Sequence, residues 1–349
     1  MNATLFRILK KAAGAVLLLS IMTCMCGCEK LSKNNEVSAT IFAMDTYMAF
    51  EAYGDHAKEA VADASEEIRR LENLFSTNIE SSDVAKINAA GGGDVSDETA
   101  ELVEASLDFY EKTDGAYDIT VYPIVRAWGF TTGSYRVPED TEIRLLLPLV
   151  GSHKMHLERH RISFDKKGMM IDLGTIAKGY TSQRLALLFR SKGIESALIN
   201  LGGNVQAVGY KPDGTPWRVA IQKPDKDAPD TDYIGILSCH DCAVTTAGGY
   251  ERYFEEGGKI YRHIFDPRTG YPVDNDLKSV SVVAKDGITA DGYDTALYVM
   301  GKEKAIDFWK SHADLFDIIL VDGSDTIYIS EPIAKDFSTD LKTEVLATP

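Results

Sequence analysis

Apolar side chains at Ala57, Val61, Ala64, Ile68, Leu71 and Phe75 recur at intervals of three and four. That period lines one face of an α-helix. Val103, Leu107 and Tyr110 predict a second helix over about 97–112, with Ser96 placed to cap its start and Gly115 just past its end. A third is predicted over 177–192, stopping at Gly193, and the last helical stretches over about 290–300 and 302–312. Residues 38–52 alternate as a strand does. Short β-rich runs follow at 161–164, 169–173, 197–201, 217–221, 234–237, 243–246, 260–265, 279–284, 316–321 and 326–330. Lys166-Lys167-Gly168 reads as a hairpin turn.

Hairpins mixed with isolated helices predict an α+β fold, with mixed, largely antiparallel sheets and packed helices, rather than a regular βαβ repeat. The sequence shows no internal repeat and no long low-complexity linker. One compact domain is expected over 37–330, with residues 331–349 as a tail. At 349 residues the chain can bury a sizeable core.

The N-terminus reads differently. Arg7, Lys10 and Lys11 precede an apolar run over 12–25, too short for a membrane span. The run ends in Cys26-Gly27-Cys28 and a polar stretch. A cysteine after a small residue here resembles a bacterial lipobox. Residues 1–27 are therefore expected to be a lipoprotein signal, Cys28 the acylated (palmitate-type) first mature residue, and 28–36 a polar tether. That places the protein on the extracytoplasmic or periplasmic side of a bacterial membrane, held by its acyl chains. Without residues 1–27 the formal charge moves from -16 to -19, because that segment holds three cations and no acid. Such a surface repels phosphate backbones, which argues against nucleic acid as a partner. Cys239 and Cys242 lack the ligand number of a zinc site, leaving a local disulfide or two free thiols.

Four stretches could carry chemistry. In Thr289-Ala290-Asp291-Gly292-Tyr293-Asp294-Thr295, helical spacing puts Asp291, Asp294 and Thr295 on one face. Two carboxylates and a hydroxyl are hard ligands suited to Mg²⁺. The same acids could instead complement a helix dipole, and spacing alone favours that. Ile171 to Tyr180 runs from an apolar strand through a Gly174 turn into a helix, a place where backbone amides and Lys178 can meet a phosphate. Asn200-Leu201-Gly202-Gly203-Asn204 permits close backbone approach or a plain turn. His263 stands at a strand end before the Asp266 to Gly270 turn.

Taken in order, these segments resemble the ApbE family of FAD:protein FMN transferases. Phe42-Ala43-Met44-Asp45-Thr46 is similar to its opening motif, and Phe75-Ser76, Ser82 and Asn88 to its next segment. Gly115-Ala116-Tyr117-Asp118-Ile119-Thr120, Pro123 and Trp128-Gly129-Phe130 follow. The 172–180, 200–204, 263–272 and 290–297 stretches complete the match. The resemblance implies a T-fold-like core, FAD as bound substrate and Mg²⁺ as cofactor. It implies that Met44, Ala116, Tyr117, Asp118, Asp172, Lys178 and Phe265 contact FAD. Asn78 stands where many members carry a flavin-contacting Tyr. Thr175, through its main-chain oxygen, and Asp291, Asp294 and Thr295 would surround the metal. Ala247 replaces a frequent Ser, and Asp294 a smaller residue.

The implied reaction is attack by a Thr or Ser hydroxyl of an extracytoplasmic redox protein on the FAD pyrophosphate, with AMP leaving. His263 or an aspartate near the metal would be the base. An FAD pyrophosphatase and a flavin-binding lipoprotein without activity are the rival expectations.

Overall fold

The computed structural model describes residues 35–349 apart from 226 and 230, so Cys28, the signal and most of the tether lie outside the described residues. Strands β1 (Glu36–Ala43) and β2 (Thr46–Tyr53) form an antiparallel hairpin where the alternation predicts a single strand. The turn is Met44-Asp45, at φ 48° and 60°. A two-residue turn of this handedness ordinarily reads Asn-Gly or Asp-Gly, and no glycine is present to announce it. The periodic helix follows as α1 (Ala57–Phe75), its stripe wholly buried. α2 (Asp83–Ala90) and β3 (Gly92–Asp94) come next. α3 (Asp97–Lys112) is capped as predicted, Ser96 Oγ accepting from the Thr99 amide at 3.3 Å.

Two short helices, α4 (Tyr122–Ala127) and α5 (Asp140–Leu146), lead to the β4 (Met155–Glu158) and β5 (Arg161–Phe164) hairpin. The run at 169–173 joins no sheet. Asn88 replaces a strand partner there: its side chain accepts from the Ile171 amide and donates to the Ile171 carbonyl, both at 2.8 Å. The 166–168 turn is present but connects no strand pair.

The remaining chain is α6 (Ala177–Ser191), β6 (Ser196–Leu201), β7 (Asn204–Val208), β8 (Trp217–Gln222), β9 (Tyr233–Cys239) and β10 (Ala243–Gly248). The small hairpins β11 (Tyr253–Glu256)–β12 (Lys259–Arg262) and β13 (Phe265–Asp266)–β14 (Tyr271–Pro272) follow, splitting the run predicted over 260–265. Then come β15 (Leu277–Ala284), α7 (Gly287–Met300), α8 (Lys302–Lys310), β16 (Phe316–Asp322) and β17 (Ile327–Ser330).

The fold does not end at 330. α9 (Glu331–Ala334), β18 (Phe337–Ser338) and β19 (Thr343–Leu346) follow, β18 pairing with β9 and β19 lying parallel to β17. The segment expected as a tail thus supplies an edge to each of two sheets. Its few apolar residues pack on an existing edge, so it carries no long stripe.

The fold is α+β, as expected. A nine-stranded sheet runs β1-β2-β6-β7-β10-β15-β16-β17-β19, antiparallel except at its last pair. Helices α1, α3, α6 and α7 bury one face, through Leu71, Phe109, Tyr180 and Leu297 on one side and Ile68 and Leu185 on the other. The three-stranded sheet β18-β9-β8 covers part of the opposite face, packing Trp217 and Leu237 on Ile319 and Val321. Cys239 and Cys242 are both free thiols, the first buried.

Candidate functional site

Helices α6 and α7 touch at two glycines. A Cβ on Gly179 would lie 2.2 Å from the Gly287 carbonyl oxygen and 2.5 Å from Asp291 Cβ, and one on Gly287 would lie 2.1 Å from the Gly179 oxygen. Only glycine allows this approach. It lets the Gly179 amide donate to Asp291 Oδ2 at 2.8 Å, between residues 112 apart in sequence. An uninterrupted helix would give that amide to the Thr175 carbonyl. Among the described residues that carbonyl accepts no hydrogen bond. Asn204, at the head of β7, donates to Asp291 Oδ1 at 2.7 Å. Thr295 Oγ1 donates to Asp294 Oδ1 at 3.1 Å.

Asp291 and Asp294 do not serve the helix dipole. Asp286 caps α7, accepting from the Thr289 amide at 2.8 Å. The two acids lie beyond the first turn, each 3% exposed. Burial raises both carboxyls above the usual range, and for Asp294 the charge of Asp291 adds to the rise, while Lys178 opposes it at both. The buried Thr245 hydroxyl lies beside Asp294 and, as a hydrogen-bond donor to it, partly offsets the rise of its carboxyl. Two buried like charges and a free main-chain carbonyl form an oxygen-rich donor set that a hard divalent cation fits. Among the described residues no three His, Cys, Asp or Glu side chains converge as a metal cluster. The remaining ligands would be the Thr295 hydroxyl and Thr175 carbonyl oxygens.

The turn into α6 supplies the second half. Asp172 Oδ1 accepts from the Gly174 amide at 2.9 Å, and the Asp172 amide donates to the Ile119 carbonyl at 2.9 Å. Thr175 Oγ1 meets the Tyr117 hydroxyl at 3.2 Å. Tyr117 and Ala116 are buried, and desolvation drives the Tyr117 hydroxyl well above its ordinary value. Asp118 divides its bonds between its own loop and Ser152, 34 residues further on. Oδ1 accepts from the Thr120 amide (2.8 Å), Thr120 Oγ1 (2.6 Å) and Ser152 Oγ (2.7 Å), and Oδ2 from the Ser152 amide (3.3 Å). It fixes the loop that presents Tyr117.

Lys178 is the electrostatic centre. Its charge acts on Asp172, Glu251, His263, Asp291 and Asp294, yet among the described residues none of these carboxylates comes within 4 Å as a salt-bridge partner. A half-buried lysine at the first turn of a helix, surrounded by acids but paired with none, is disposed to receive an anion. Arg252 adds a second cation that acts on Asp172, Glu251 and His263.

His263 follows β12. Its amide donates to the Arg252 carbonyl at 3.1 Å, and Nδ1 meets the same oxygen at 3.1 Å. Donation from Nδ1–H leaves Nε2 as an acceptor. Desolvation, with Arg252 adding to it, lowers its pKa to about 3, so the ring is neutral at ordinary pH.

Met44 flanks this region on the β1–β2 turn, its amide donating to Glu72 Oε1 at 2.6 Å and its sulfur 4.0 Å from Thr181 Oγ1 on α6. Its neighbour Asp45 acts on Asp172. Asn78 is exposed on the α1–α2 loop, beside Thr77, which hydrogen-bonds Tyr122. Phe265 packs against Trp128 and Phe130 at 5.8 and 5.7 Å and is 5% exposed. Its ring belongs to an aromatic core under the cleft. Sequence reasoning singled out neither Glu251 and Arg252 nor Thr245. Their only signal is proximity in sequence to Ala247 and the adjacent glycines. The part of Gly287 carries none, since its contact is visible only once the helices cross.

Comparisons with known proteins place the chain in a family. The ApbE family profile matches residues 44–320. A Klebsiella pneumoniae FAD:protein FMN transferase is 34% identical over 313 residues, covering 88% of this chain and 96% of its own. One from Vibrio cholerae is 32% identical over 296 residues, with 82% and 88% covered. The crystal structure of a Thermotoga maritima ApbE protein superposes with TM-score 0.80 at 32% identity, covering 86% of this chain and 99% of that one. The Vibrio cholerae flavin transferase superposes with TM-score 0.74 at 28% identity, covering 88% and 97%. The fold and these relatives define the chain as an enzyme of the transferase class. It belongs to the ApbE family.

Proposed function

We propose that this protein transfers the FMN half of FAD onto a Thr or Ser hydroxyl of an acceptor protein and releases AMP. The observation that carries the reading is the buried Asp291–Asp294 pair beside Lys178 at the start of α6. That arrangement suits a pyrophosphate and a divalent cation together. The cation, Mg²⁺ held by Asp291, Asp294, the Thr295 hydroxyl and the Thr175 carbonyl, would supply neutralising charge.

The chain's own residues do the rest. Lys178, at the first turn of α6, binds the pyrophosphate oxygens, and Arg252 extends that positive field. Met44, Asn78 and the 116–118 loop flank the flavin side. The acceptor oxygen attacks the phosphorus on the riboflavin side. A new P–O bond forms as the pyrophosphate P–O bond breaks, and AMP leaves with that electron pair. The hydroxyl proton passes to a base. His263 offers Nε2, and an anionic pyrophosphate beside it would raise its low pKa towards a useful range. An aspartate beside the cation is the other base of this site.

Acylation of Cys28 after removal of residues 1–27 would hold the enzyme on the extracytoplasmic side of the membrane, where the acceptor redox protein is met. Mass spectrometry of the mature N-terminal peptide tests that step separately. An unmodified Cys28 removes the anchor and leaves the reaction.

The test of the reaction uses the full chain, FAD, Mg²⁺ and a purified extracytoplasmic flavin-carrying redox subunit made in cells lacking the transferase. Covalent flavin should fluoresce in the acceptor band of a denaturing gel, and chelation should abolish it. Release of FMN and AMP with no labelled acceptor would make the enzyme a pyrophosphatase. FAD bound without turnover would make it a carrier.

A further inference from the structure

We propose that the pocket between the β11–β12 hairpin and β15 binds a small oxyanion, a carboxylate or a phosphate, on the guanidinium of Arg262. The pocket has a volume of about 240 Å³, and Tyr250, Tyr253 and Ile260 form its less polar wall. Three charged side chains line it: Asp225, Arg262 and Lys278. Lys278 Nζ donates to Asp325 at 2.7 Å, and Asp225 lies 3.9 Å from Lys223. Arg262 stands apart. Among the described residues its guanidinium has no hydrogen-bond acceptor and no carboxylate within 4 Å, although the residue is half-buried.

Arg262 is also fixed in place. Its stem lies on the bare backbone of Gly249, where a Cβ would come 2.0 Å from Cδ and 2.7 Å from Nε. Any other residue at 249 would displace the arginine. Gly248 makes the same room for Tyr250, since a Cβ there would lie 2.3 Å from Cε1. Gly248 ends β10 and Arg262 ends β12, so a sheet and a hairpin set these positions. A cation drawn out of full solvation is costly without a partner. A guanidinium fork held this way matches the paired oxygens of a carboxylate or a phosphate.

The size narrows the ligand further. The volume lies below the roughly 300–1,000 Å³ of sites for drug-sized molecules, so the pocket takes a small anion, or one acidic group of a larger partner, and not a dinucleotide. It is also separate from the anion site at Lys178, though the two share a segment. His263 follows Arg262 directly, and Glu251, on which Lys178 acts, follows Tyr250.

The test is binding of inorganic phosphate by the full chain, followed by titration calorimetry and thermal melts, against chloride at equal ionic strength so that screening cancels. Lys178→Met is the background, because it removes the anion site of the cleft. A saturable phosphate site should remain there. Adding Arg262→Met should weaken it at least about tenfold, and Arg262→Lys less. In the wild-type chain Arg262→Met should remove one of two phosphate sites. Without phosphate, Arg262→Met should melt no lower than its parent, because it deletes an unpartnered charge and keeps a stem on Gly249. No saturable site in Lys178→Met, or the same affinity after Arg262→Met, overturns the proposal, and a lowered melt with unchanged phosphate binding gives the arginine a packing part only. Acetate in place of phosphate shows whether a carboxylate serves as well. One further arm rests on the transferase reading. At saturating FAD, phosphate that raises the KM for a labelled acceptor in the wild-type chain but not in Arg262→Met places the anion on the acceptor protein, and an unchanged KM assigns a free anion. Binding is measured without turnover, so failure of the transferase reading leaves it standing.

Discussion

Gly179→Ala perturbs the candidate site without replacing a charged residue. The added Cβ would sit 2.2 Å from the Gly287 carbonyl oxygen and 2.5 Å from Asp291 Cβ. An ordinary contact needs about 1 Å more, and both obstacles are helix α7 itself, so α6 and α7 must part by roughly that distance. Overpacking of this kind costs about 1–3 kcal/mol. At about 2–4 °C per kcal/mol for a large domain, melting should fall by several degrees. The separation also stretches the 2.8 Å bond from the Gly179 amide to Asp291. Misplacing a reacting constellation by about 1 Å costs about 10²-fold in rate. Thermal melts and FMN transfer are measured together on Gly179→Ala, Gly287→Ala and the double variant. The double variant should cost less than the sum, because one separation relieves both clashes. Wild-type melting and rate in Gly179→Ala would refute the close approach. A lower melting point with an unimpaired rate would reduce it to packing.

Asp291→Asn keeps shape and removes charge; transfer should collapse while the metal-free melt stays within a few degrees, and excess Mg²⁺ should restore part of the rate. An active variant with wild-type Mg²⁺ dependence would sink the metal assignment. His263→Ala should lower the transfer rate by about 10²–10⁴ if the ring is the base, with FAD affinity little changed; near-normal turnover would move that role to Asp294. Asp322 makes a pH-dependent case. Burial alone would raise its carboxyl, but bonds from Ser324, Lys302 at 3.1 Å and Thr326 outweigh that and hold it below the usual range. A depressed folded pKa means the stabilisation is fully present above the unfolded value of about 3.9 and is lost as pH falls through the folded one. Asp322→Asn should therefore cost about 1–3 kcal/mol near neutral pH and progressively less below pH 4 by urea titration, and a pH-independent gap would contradict the charged network.

Much of this was legible in the sequence where one local rule decides. α1 and α3 follow from a 3.6-residue stripe, and the Ser96 cap from its side chain alone. The 172–178 turn and the 291–295 helix face are linear motifs. What the sequence hid depends on distant pairs. The Met44-Asp45 turn lacks the usual glycine and is held by Glu72 from α1. Asn88 stands in for a strand beside Ile171, 83 residues away, so alternation there misleads. The acids of α7 read more readily as dipole complements until Asp286, four residues before the predicted start at 290, is seen to cap the helix. The strands after Ser330 are short and gain their order from β9 and β17. Burial also changes chemistry that residue type alone suggests: His263 has an ordinary pKa near neutrality only outside this cleft.

The central claim is that the pyrophosphate bond of FAD is broken at Lys178 and the Asp291–Asp294 pair by a protein hydroxyl. The most direct measurement counts both products in one reaction. With the full chain, FAD, Mg²⁺ and the acceptor subunit, AMP released and FMN joined to a single Thr or Ser, located by peptide mass spectrometry, should rise together in a 1:1 ratio. Both should vanish with Asp291→Asn at limiting Mg²⁺. AMP formed with free FMN and no modified acceptor, or labelled acceptor without AMP, would contradict the account.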